Sequence, residues 1–233
     1  MDEILRSEQE LFRNLALTIV LILLCFLAIS KLLFPKLFAS VYDYRKLFSF
    51  KPTEDFGAGI QLLSTESIHF TGLMSAMLGF VLLNVAQSIP DAFPEILLVK
   101  SFSGGLLLWL LMSLAVFVLL LFKYVFTAVV GLLFDLKQPK TRHFQEVLSL
   151  NHLFTGLLFL SFIIALFSRF YLPSTLAQTI LVATSIYLLY RLISLFFKIR
   201  RHTESSMLYI FSYLCTTEIF PLAIGIIVLI QPI

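Results

Sequence analysis

Glu218 is the residue with the most chemistry to offer. It stands in the run Tyr213-Leu-Cys-Thr-Thr-Glu-Ile-Phe-Pro221, eleven residues after Met207 and thirteen before Gln231. At a rise of about 1.5 Å per residue, that spacing predicts a position near the midplane of a membrane-crossing helix. A carboxyl group at that depth is costly and marks a candidate site facing the protein interior. Pro221 cannot donate a hydrogen bond to the carbonyl of Thr217, so it frees an acceptor beside the carboxyl group. A carboxyl and a free carbonyl together suit a proton or a cation. The bland alternative is a protonated or ion-paired Glu that locks one helix against its neighbours.

Arg191 is the expected partner. It lies about two turns inside the end of the preceding apolar run, and side chains lean toward the N-terminus of their own helix. Two antiparallel helices would thus tilt Arg191 and Glu218 toward each other. The alternative is an Arg191 that snorkels to lipid headgroups beside Lys198.

Two histidines follow. Ile68-His-Phe-Thr-Gly-Leu73 and Asn151-His-Leu-Phe-Thr-Gly-Leu157 share Phe-Thr-Gly-Leu at an offset of 84 residues. This pattern fits a duplicated helical hairpin or a coincidence in a Phe- and Leu-rich chain. His69 and His152 could relay protons, since imidazole titrates near neutrality; capping or bridging helices is the plainer role. Thr71, Ser75 and Gly79 form a stripe of small residues suited to close helix contact. Asn84 and Gln87 could link helices or line a vestibule.

The elements that must hold these residues are set by composition. Of 233 residues, 59% are hydrophobic and 13% charged, against about a quarter charged in a soluble domain. The chain is therefore read as all-α, a polytopic transmembrane helical bundle forming a single integral membrane domain over residues 1–233. A bilayer core needs about 20 apolar residues of helix. Six runs meet that measure, near 15–33, 68–89, 104–126, 147–171, 174–197 and 207–230. In the third, the apolar pattern continues past Lys123 to Phe134 and reads as a helix leaving the membrane or lying along its surface. A segment over 36–52 mixes aromatic and basic residues and fits an interfacial anchor on anionic lipid.

Basic residues next to spans stay on the cytoplasmic side. Thirteen of the 17 fall in the odd connectors: Lys31, Lys36, Arg45, Lys46 and Lys51, then Lys123, Lys137, Lys140 and Arg142, then Arg191, Lys198, Arg200 and Arg201. Arg6, Arg13, Lys100 and Arg169 fall on the other side. Both termini are accordingly expected outside the cytoplasm, with Trp109 and Tyr171 in the outer aromatic belt. The first apolar run lacks a small-residue cleavage site and reads as a retained span. Cys25 and Cys215 both fall in apolar runs and offer no disulfide or metal framework. A net charge of +3 does not suggest nucleic acid. No phosphate loop, zinc signature or nucleophile elbow occurs, so no catalytic residue, metal or cofactor is assigned and an enzyme is the least supported class.

The run from Tyr213 to Leu222 resembles the signature of an uncharacterised Bacteroidota inner-membrane family, domain of unknown function 4271. The Asn151-His152 pair and the segment from Tyr42 to Phe50 are similar to it too. The resemblance implies a multi-pass protein of the cytoplasmic membrane with periplasm outside, and no activity. Two functions stay open: a non-enzymatic subunit or assembly factor of an envelope complex, contacting lipid and other inner-membrane subunits, or a small proton- or cation-coupled transporter using Glu218. The candidate polar site is Glu218, Arg191, His152, Asn151, His69, Thr217 and Pro221.

Overall fold

The computed structural model describes residues 2–43, 64–89, 97–133, 139–167, 173–202 and 207–219. Among them every regular element is helical: α1 (Asp2–Leu33), α2 (Pro35–Val41), α3 (Thr65–Ser88), α4 (Phe102–Leu133), α5 (Pro139–Phe167), α6 (Pro173–His202) and α7 (Met207–Leu214), the last running into a π-helical turn over Cys215–Ile219. Five contain stretches long and apolar enough to cross a membrane: Glu10–Leu33, Thr65–Ser88, Phe102–Thr127, Leu148–Phe167 and Gln178–Phe197. These match the first five expected spans. Of the sixth only residues 207–219 are described; Tyr171, Pro221 and residues 44–52 of the interfacial segment also lie outside the described residues.

Local sequence explains several boundaries. Ser64 caps α3, its hydroxyl accepting from the Ser67 N–H at 3.2 Å, with Glu66 in the first turn where the helix dipole favours an anion. Pro35, Pro139 and Pro173 each begin a helix, where a missing N–H costs nothing. The helices also overrun the apolar windows. α1 starts at Asp2 and α5 at Pro139, so much of the expected third connector is helix. Lys123 does not end α4, which continues to Leu133.

α3 is the axle of the bundle. It packs against α1, α4, α5 and α6, and it is the most buried and least apolar of the five crossing helices. Its buried face mixes Phe70, Leu73, Met77 and Phe80 with Thr71, Ser75, Asn84 and Ser88. α4 is the reverse, the most apolar and the least buried. With lipid outside, hydrophobicity no longer selects the interior; small and hydrogen-bonding side chains do. The Thr71, Ser75, Gly79 stripe is such a face. A Cβ at Gly79 would meet the Ser113 hydroxyl and lie 3.0 Å from the Ser113 backbone, so only glycine allows α3 and α4 their separation.

Two expectations change at this contact. Trp109 is not a belt residue exposed to the interface. It is buried, and its indole N–H donates to the Ala76 carbonyl of α3 at 3.0 Å. Asn84 makes no link between helices among the described residues; its amide donates to Phe80 O of its own helix at 2.8 Å.

Candidate functional site

Glu218 sits in the π-helical turn, where the backbone departs from α-helical spacing. Such turns recur at functional positions because they re-aim a side chain within an otherwise regular helix. Its carboxylate Oε2 accepts from Arg191 Nη2 of α6 and, at 2.9 Å, from Lys123 Nζ of α4. Glu218 and Arg191 are buried, at 4% and 5% exposure, while the Lys123 side chain is 22% exposed. The carboxylate thus holds two cations from two different helices.

A neutral layer completes the network. Arg191 Nη1 donates to Asn151 Oδ1 of α5 at 2.9 Å, and the Tyr187 hydroxyl donates to the same oxygen at 2.7 Å. Two donors on one atom fix the Asn151 amide with its oxygen inward. Phe154 stacks flat on Tyr187 with ring centroids 3.8 Å apart. Thr217, fully buried, donates to Tyr213 O at 2.9 Å within its own helix, so it supports the turn and does not reach the cations. Burying charge is tolerable only when the pairs are close and their remaining donors find acceptors; this arrangement meets that condition at Arg191.

The cluster lies near one end of the bundle. Lys123, Asn151 and Arg191 stand four, three and six residues inside the apolar windows that end at Thr127, Leu148 and Phe197, or about 5–9 Å at helical rise. Glu218 is therefore shallower than its count from Met207 implies. Lys123 and Arg191 also cease to be simple flanking charges. Without them the basic residues still divide eleven to four in the expected sense.

The histidines belong elsewhere. Asn151 and His152 are consecutive on α5, about 100° apart around the helix, so Asn151 faces α6 and His152 faces α3. The His152 ring is fully buried, with Nε2 2.7 Å from Phe70 O and Nδ1 2.9 Å from Leu148 O. A neutral imidazole donates to one of these carbonyls, and only the imidazolium donates to both. His69 Nε2 lies 2.7 Å from the Ser30 hydroxyl, which itself donates to Phe26 O at 2.6 Å; the histidine must then be the donor. α2 covers this end. Val41 O accepts from Ser149 at 3.2 Å, and Tyr42 meets His152 edge to face. Burial pushes the Tyr42 phenol well above its ordinary range.

Of the expected site, Glu218, Arg191 and Asn151 come together. Thr217 lies beside them, His69 and His152 form a separate knot whose partners are neutral, and Pro221 is outside the described residues. Lys123 and Tyr187 are additions that the sequence reading missed. The clue to Lys123 was the apolar run continuing on both sides of it, which an exit marker would not show. Tyr187 gave no such clue. Among the described residues, no group of His, Cys, Asp and Glu is arranged to hold a metal.

A family model described as a domain of unknown function (DUF4271) matches residues 17–229. No curated protein and no solved structure matches the chain.

Proposed function

The chain belongs to the DUF4271 family of domains of unknown function, and from that premise we propose that it is a non-enzymatic integral protein of the cytoplasmic membrane, a subunit or assembly factor of an envelope complex with both termini outside the cytoplasm. One observation carries this reading: Glu218 is clamped by Arg191 and Lys123 and backed by Asn151. The network ties α4, α5, α6 and the π-helical turn into one unit. A coupling carboxyl must take up and release a proton during its cycle. Protonating Glu218 would strand the buried Arg191 and the partly buried Lys123 without a counter-charge, so this setting opposes proton exchange. It favours a fixed ion-pair lock that shapes a surface for lipid and neighbouring subunits.

Glu218→Gln separates the two functions, since it keeps size and hydrogen bonding and removes the charge. The structural reading expects lower abundance in the membrane and loss of copurifying subunits. Normal abundance with intact partners, together with lost proton-driven uptake, would turn the assignment to a transporter.

A further inference from the structure

We propose that Lys123, held beside Arg191 by Glu218, is a binding site for the phosphate group of an anionic membrane lipid. The first ground is charge. Among the described residues the cluster holds two cations and one carboxylate, and its other members, Asn151 and Tyr187, are neutral. One positive charge is left over in a low-dielectric setting, where an uncompensated ion is costly. An anion supplies the missing counter-charge.

The second ground is where the open donors lie. A lysine ammonium has three N–H groups, and among the described residues Lys123 uses one, on Glu218. Arg191 and Glu218 are closed off, so a ligand arrives along Lys123, the one charged member with an exposed flank. That flank admits a headgroup oxygen, and it is bordered on α4 by Leu119 and Phe122, both largely exposed. A charged donor framed by apolar side chains matches a lipid, with phosphate on the ammonium and acyl chain along the helix.

Depth is the third ground. The cluster is about 5–9 Å inside the end of the apolar windows, the range that a long basic side chain and modest local thinning of the bilayer can bridge. The site rests on the chain crossing a membrane and not on its being a subunit. The Glu218→Gln experiment reads abundance and partners, whereas the test below reads lipid retention by folded protein, so either can fail alone.

The full chain, purified in detergent, is mixed with equal amounts of phosphatidylglycerol and phosphatidylcholine, and bound lipid is counted by native mass spectrometry. Phosphatidylglycerol should be retained about tenfold over phosphatidylcholine, because both offer a phosphate but the choline cation cancels its charge and is repelled by the spare positive charge of the cluster; tenfold corresponds to about 1.4 kcal/mol. Lys123→Gln should bring that ratio to near one, and Lys100→Gln, an exposed lysine just before the start of α4 and so at its opposite end, should leave it unchanged. Equal retention of the two lipids by the unsubstituted protein overturns the proposal whether or not the variant folds. Protection from thermal unfolding by inorganic phosphate alone, with no lipid preference, also overturns it and makes this a soluble-anion site. A copurifying protein lost with Lys123→Gln, again without lipid preference, hands the charge to a partner's carboxylate instead.

Discussion

Asn151 and His152 stand next to each other on α5 and belong to two knots of opposite kind. The Asn151 knot is charged, and each of its links runs from side chain to side chain across Lys123, Glu218, Arg191 and Tyr187. The His152 knot is neutral in its partners, and its links end on backbone carbonyls of Phe70 and Leu148. A backbone carbonyl in a helix already accepts its own helical bond, so it tolerates losing a second donor. A buried charge has no such reserve. Both knots contain buried members, Glu218 and Arg191 in one and His152 in the other; dependence on every member differs.

The largest expected effect follows from that difference. Arg191→Met should lower stability by about 3 kcal/mol, because it removes the charge-assisted hydrogen bonds to Glu218 and Asn151 even though Lys123 still balances the carboxylate, read by unfolding of the purified protein in detergent. Arg191→Lys should fall between, because one ammonium can keep Glu218 but lacks the planar fork that reaches Asn151 as well. The distinction between the knots collapses if Arg191→Met costs less than substitutions at His152.

Neighbouring substitutions on α5 sharpen the contrast. Asn151→Leu leaves an Arg191 donor and the Tyr187 hydroxyl without their shared acceptor, and should cost about 2 kcal/mol. His152→Phe keeps the ring's bulk against Tyr42 and Phe70 and removes only bonds to carbonyls that keep their helical donors, so about 1 kcal/mol is expected. Equal losses at the two positions would show that the carbonyl contacts carry as much as the charged ones.

Much of this was legible from the chain. Glu218 and Arg191 stood out because a charge inside an apolar run is conspicuous, and the lean of side chains on antiparallel helices brought them together on paper. Length and hydrophobicity predicted six spans, and five helices long and apolar enough to cross a membrane match the first five. Lys123 escaped because hydropathy treats every charge near a run's end as its boundary, although α4 carries its lysine inside and continues to Leu133. The starts of α1 and α5 escaped for a related reason: the polar turns before Glu10 and Leu148 continue the helix outside the apolar ruler. Which helix would occupy the centre was not legible either. That position goes to α3, the least apolar of the five, because interhelical contact in lipid rewards Gly79 and Thr71 over another leucine.

The smallest effect tests the neutral knot at its edge. Tyr42 packs its ring 4.7 Å from Phe38 and edge-on to His152, and its hydroxyl has no hydrogen-bond partner among the described residues. Removing that hydroxyl takes away a polar group that folding leaves unsatisfied, so Tyr42→Phe should be neutral or slightly stabilising at neutral pH. The pH dependence has a definite sign. Burial raises the folded phenol above its unfolded value, so the folded state holds its proton where the unfolded state has begun to lose it. Stability is then unaffected below the unfolded value near about pH 10 and declines as pH rises beyond it. Tyr42→Phe should remove that contribution to the decline, seen as a shallower loss of melting temperature between about pH 9 and 11. A loss above about 1 kcal/mol at neutral pH would mean instead that the hydroxyl makes a bond the fold relies on. The neutral knot would then depend on its polar links much as the charged one does.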